Sequence, residues 1–118
     1  MTEGSSESLD ADAAGQVRCE PAWAGYRVVL IGEVDLTLAG EWSAALATLA
    51  EADPADVTVD LSAATFIDSS TLGSLVRLYR EVTARGGEVV LTGVGGPVAR
   101  ALQLAGLDLV IPMVAYDG

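Results

Sequence analysis

The sequence predicts one α/β domain, a mostly parallel sheet of about five strands covered by three or more helices, in the order β-β-α-β-α-β-α-β. Three observations predict it. Short β-rich runs alternate with segments whose apolar residues recur at helical spacing, glycines and prolines punctuate the changes, and 118 residues suffice for a single core. Each element can be justified in turn. "QVRCEPAW" and "YRVVLIGEV" are β-rich runs around Ala24-Gly25, which reads as a hairpin or close turn. From Thr37, the expected cap, Leu38, Trp42, Ala45, Leu46 and Leu49 form one stripe, and Asp53-Pro54 stops the helix. "VTVDL" is a short buried strand. Leu72, Leu75, Val76, Tyr79 and Val82 then form a second stripe that ends at Gly86-Gly87. "EVVLTGV" is a strand, Pro97 suits the first turn of a third helix with Val98, Ala101, Leu102 and Ala105 inward, and Gly106 is its expected end. "LDLVIPM" supplies the last strand. Residues 1–15 are small, polar and acidic and read as a disordered tail, leaving 16–118 as the domain.

Charge narrows the function. Seventeen acidic residues face six basic ones, all arginine, with no lysine and no histidine. Nucleic acid and anionic membrane surfaces both require cationic patches, so neither is an expected partner, whereas a basic protein surface is. Cys19 is the one cysteine, which excludes an internal disulfide and favours a reducing compartment. With no signal-like N-terminus and no long apolar run, the expectation is a cytoplasmic protein without a membrane span.

The densest polar cluster lies in "TFIDSSTLG", where Asp68, Ser69, Ser70 and Thr71 occupy a strand-to-helix junction. These side chains can cap the orphan N–H groups of a helix start, each worth about 1 kcal/mol. One residue would suffice for that, so an exposed hydroxyl open to modification, or an anion site, is the alternative. A serine nucleophile needs a base, and the usual His or Lys is missing, so acyl-transfer chemistry is not expected. A phosphate-binding P-loop lacks its lysine, and "GVGGP" reads as a flexible loop. Asp60 fails as a receiver-domain phospho-acceptor, because the companion acidic pair and lysine are missing. No enzyme activity, cofactor or metal is expected.

Two stretches, Gly32-Glu33-Val34-Asp35 and Asp68-Ser69-Ser70 with Leu72-Gly73, together with the element order, resemble the STAS domains, and among them the stand-alone anti-sigma factor antagonists. The resemblance spans about residues 16–113. It implies that Ser69 is a phosphorylation site, with Ser70 and Thr71 as secondary candidates. It also implies an anti-sigma factor of the GHKL serine-kinase type as partner, and a PP2C-type phosphatase that resets the switch. The unphosphorylated protein would bind that partner and free a sigma factor. Asp35, Asp68, Ser69, Ser70 and Thr71 form the expected partner-binding set; Asp35 reads equally as an acid favoured at a helix start. Thr71 replaces the family's usual glycine, setting a β-branched side chain where a kinase approaches. Alternatives are a non-switching STAS subunit, in a stress-sensing scaffold or beside a lipid-transport ATPase, and a STAS module that binds nucleotide or lipid.

Overall fold

A computed structural model describes residues 15–114. The acidic N-terminal segment, Gly15 apart, lies outside the described residues. Strands β1 (Gln16–Ala22) and β2 (Gly25–Val34) form an antiparallel hairpin, and the turn between them holds Ala24 in the left-handed region (φ 66°). A 3-10 turn (Leu36–Leu38) leads into α1 (Ala39–Ala52). Then come β3 (Asp56–Ile67), α2 (Ser69–Ala84), β4 (Glu88–Thr92), α3 (Gly96–Ala105), a second 3-10 turn (Leu107–Leu109) and β5 (Met113–Val114). The sheet order is β1-β2-β3-β4-β5, with every pair after the first parallel.

Alternation along the strands determines where the core lies. Val28 and Leu30, Val57, Val59 and Leu61, and Val89 and Leu91 are buried, and all join one cluster with the helix stripes. The residues between them, including Arg27, Thr58, Glu88 and Val90, are exposed or half-buried. Helices therefore cover one face of the sheet and leave the other open. On the open face Asp60 is nevertheless buried, held by Arg27 Nη1 at 3.3 Å and by the backbone N–H and hydroxyl of Ser62. The β1 edge is blunted: Glu41 of α1 accepts the outward N–H of Val17 at 3.0 Å, and Pro21 offers no N–H.

The helices terminate for visible reasons. Asp53 caps α1 in the left-handed region (φ 50°) and receives Arg85 Nε at 2.9 Å, while Pro97 opens α3 and Gly106 closes it at φ 76°. Four details depart from the sequence reading. "VTVDL" is the first part of a strand that runs on to Ile67, because β2 is long enough to pair with it throughout. "LDLVIPM" is not a strand over its length. Leu107 and Ile111 are buried four residues apart around a 3-10 turn, and only Met113–Val114 pairs with β4. Ala105 faces solvent, since α3 buries only Val98 and Leu102 fully. The cap before α1 is Asp35 rather than Thr37, whose N–H and hydroxyl both donate to the Asp35 carboxylate.

Candidate functional site

Two strand ends build the site. β2 and β3 run side by side to a final register pair, Val34 with Ile67, so Asp35 and Asp68 emerge next to one another at the same sheet end. Reaching that register takes two irregularities, between Val29 and Ile31 and between Gly32 and Glu33, where β3 inserts extra residues opposite β2. Bulges of this kind re-aim the residues that follow them. Gly32 sits at the second with φ 73°, a conformation glycine adopts without steric cost.

Asp68 is the hub. It caps α2: Oδ1 accepts the N–H of Thr71 at 3.0 Å and the hydroxyl of Ser70 at 2.7 Å, while Oδ2 accepts the N–H of Leu36 at 3.2 Å. Burial is the largest single influence and raises its pKa, but the bonds from Ser70, Thr71 and Leu36 together favour the carboxylate, and the net effect lowers it. One side chain thus satisfies orphan donors of its own helix and of the 3-10 turn that follows β2.

The three hydroxyls that look equivalent in sequence are not equivalent in space. Ser69 is exposed, and among the described residues no hydrogen bond engages its hydroxyl. Ser70 is half-buried and tied to Asp68. Thr71 has no exposed surface, and its Oγ1 donates to the Val34 carbonyl at 2.8 Å. The expectation that Thr71 stands where a partner approaches is therefore corrected. It belongs to the buried stripe Thr71, Leu75, Leu78 and Val82, in steps of four, three and four residues. Leu78, left out of the stripe by sequence reading, is the residue that would have revealed this.

Sequence reasoning also missed two apolar neighbours. Leu36, between Asp35 and the buried Leu38, is 68% exposed, and Phe66, between the strand body and buried Ile67, is 49% exposed. Phe66 pairs in register with the exposed Glu33. Acidic residues and two exposed apolar side chains thus lie at the same end of β2 and β3 from which the turn with Ser69 emerges. Among the described residues no group of His, Cys, Asp or Glu is arranged to hold a metal ion. Two cavities among the described residues lie away from this turn: one of about 220 Å³ between β1 and α1, lined by Cys19 and Glu41, and one of about 340 Å³ beside Tyr79 and Pro112. Burial, with the Glu20 charge adding to it, pushes the Cys19 thiol up, the direction of an inert rather than a reactive cysteine.

An α/β domain with a capped, hydroxyl-bearing strand-to-helix turn is the class this geometry defines. Residues 26–115 match the sequence pattern of the STAS domain, and the chain belongs to that family. It is 34% identical over 61 residues to an anti-sigma F factor antagonist of Paenibacillus polymyxa, a stretch that covers 52% of this chain and 50% of that protein. The chain thus matches about half the length of that curated relative. Its fold is similar to the crystal structure of an anti-sigma factor antagonist from Mycobacterium paratuberculosis, with TM-score 0.76 and 25% identity over 92% of this chain and 90% of that one. It is also similar to the Bacillus protein SpoIIAA in its phosphorylated form, with TM-score 0.68 and 20% identity over 85% and 90% of the two chains, a likeness of fold. No helix among the described residues is long and apolar enough to cross a membrane.

Proposed function

We propose that this protein is an anti-sigma factor antagonist that binds its anti-sigma factor through the Asp35–Leu36 and Asp68–Ser70 turns and is switched off by phosphorylation of Ser69. The observation that carries the reading is the isolation of one hydroxyl. Of the three in the turn, Ser69 alone is exposed and unengaged among the described residues, at the first residue of a 16-residue helix. Family membership and the antagonists similar in sequence and fold support the partner class. A solved neighbour that carries a phosphorylated form supports the modification.

The physics favours a change at the interface over unfolding. A phosphate adds roughly 1.5 to 2 negative charges at neutral pH. On Ser69 it meets the positive end of the α2 dipole, which stabilises the helix locally by up to about 1 kcal/mol. Toward a partner, the same charge joins Glu33, Asp35 and Asp68 at the sheet end that also carries Leu36 and Phe66. Desolvating it there opposes docking by several kcal/mol, and about 3 kcal/mol is already roughly a 100-fold loss of affinity. A GHKL-type anti-sigma factor would supply the kinase and a PP2C-type phosphatase the reset, with the exchange taking place in the cytoplasm. The role assigned to this chain is binding, and the chemistry belongs to its partners.

The test is direct. The protein is isolated from its native cells, its intact mass is measured before and after phosphatase treatment, and the phosphate is located by peptide mass spectrometry. A phosphate on Ser69 is the expected result. Unmodified protein in both resting and stressed cells would overturn the switch.

A further inference from the structure

We infer that Thr71 is a positioning residue: its hydroxyl joins the Asp35–Leu38 turn and the start of α2 into one unit and so determines that Ser69 is the hydroxyl presented. The inference rests on the reading of Ser69 as the phosphate acceptor.

The geometry is specific. The single proton of Thr71 Oγ1 lies between the Val34 carbonyl at 2.8 Å and Asp68 Oδ1 at 3.1 Å. Val34 is the last residue of β2, and its carbonyl also accepts the N–H of Asp68 at 3.3 Å. Asp68 in turn holds Leu36 N–H through Oδ2 and Ser70 Oγ through Oδ1. The bonds close a circuit from Val34 through Thr71 and Asp68 to Leu36, two residues beyond Val34. Thr71 and Val34 are wholly buried, so water cannot replace the lost partner of that carbonyl. Glycine at 71 would keep the backbone cap to Asp68 but could make neither hydroxyl contact. With the circuit closed, the Asp68 carboxylate is fixed where it engages Ser70, and the hydroxyl left free is that of Ser69. Leu36, the most exposed apolar side chain of the site, is held in the same frame.

Two variants separate the hydroxyl from the shape of the side chain. Thr71→Val keeps the branched volume and removes the tether, while Thr71→Ser keeps the tether. The first readout needs no kinase: amide hydrogen exchange of Leu36 in the full chain, with core amides such as Val59 and Leu91 as the check on folding. Loss of one buried hydrogen bond should speed Leu36 exchange about fivefold or more in Thr71→Val and leave Thr71→Ser close to wild type. Unchanged exchange in Thr71→Val, or equal loss in both variants, would overturn the inference. The second readout is the ratio of phosphate on Ser70 to phosphate on Ser69 when each full-length variant is expressed in the native cells. It should rise about fivefold in Thr71→Val and stay at the wild-type value in Thr71→Ser. An unchanged ratio in Thr71→Val would overturn the assignment of selectivity to Thr71. A wild-type protein that carries no phosphate would instead sink the phosphorylation reading, and Leu36 exchange would still judge the tether.

Discussion

The Asp68 carboxylate accepts the backbone N–H of Leu36 across 32 residues of sequence, at 3.2 Å. One carboxylate oxygen caps a helix and the other anchors a turn from a neighbouring strand. Removing this side chain should therefore cost more than a simple cap. Asp68→Ala is expected to destabilise the protein by about 2 kcal/mol, above the roughly 1 kcal/mol typical of an N-cap, and to increase Leu36 amide exchange. Asp68→Asn, which retains acceptor oxygen on one side only, should fall between. Urea denaturation of the two variants checks the order.

The same bonds give a pH signature. The folded pKa of Asp68 lies below its ordinary value of 3.8, so its contribution to stability is fully present above that value. It is lost as pH falls through the lower, folded pKa. Between neutral pH and about pH 5 this group should contribute no change, and below about pH 4 stability should decline more steeply in wild type than in Asp68→Asn. Denaturant midpoints measured at several pH values for both proteins test the sign.

Ser69 should be nearly neutral for folding. It is exposed and unengaged among the described residues, so Ser69→Ala is expected to change stability by less than about 0.5 kcal/mol. Ser69→Glu, which places an acid at the positive end of α2, should be neutral to slightly stabilising. If the proposed switch holds, Ser69→Ala should retain binding to an anti-sigma factor and Ser69→Glu should lose it by about tenfold or more. Thermal melts and a binding titration on the same preparations separate the two effects.

Gly93 marks a close approach rather than a loop of convenience. It adopts φ 71°, and a Cβ there would lie 2.6 Å from the Ser62 backbone nitrogen and 2.8 Å from its Cα. Backbone cannot swing aside as a flexible side chain can. Gly93→Ala should therefore cost more than about 2 kcal/mol, whereas Gly95→Ala, with open space at its Cβ, should cost under about 1 kcal/mol. A pair of thermal melts distinguishes Gly93 from Gly95, two of the three glycines in "GVGGP".

The helices and the order of elements were legible because amphipathic periodicity is a local property. Trp42, Leu46 and Leu49 share one side of α1 whatever surrounds it, and all three are buried. Boundaries that depend on a partner were less legible. Nothing within 62–67 says that this stretch continues the strand begun at "VTVDL"; the length of β2 supplies the partner. Likewise "LDLVIPM" has strand composition, yet a left-handed Gly106 and a 3-10 turn spend most of it on burying Leu107 and Ile111.

At the site the division is sharper. The sequence by itself determined an α/β chain, a polar strand-to-helix turn at Asp68 to Thr71, and the absence of histidine and lysine. It presented three adjacent hydroxyls as near equals. The bond from Ser70 to Asp68 is local, two residues apart, but what sets Thr71 apart is the carbonyl of Val34, 37 residues upstream. That carbonyl reaches Thr71 only after β2 and β3 pair in register to the end and α2 packs its stripe on the sheet. Hydrogen bonding and burial at a residue depend on neighbours remote in sequence, whereas periodicity and capping depend on neighbours three or four residues away.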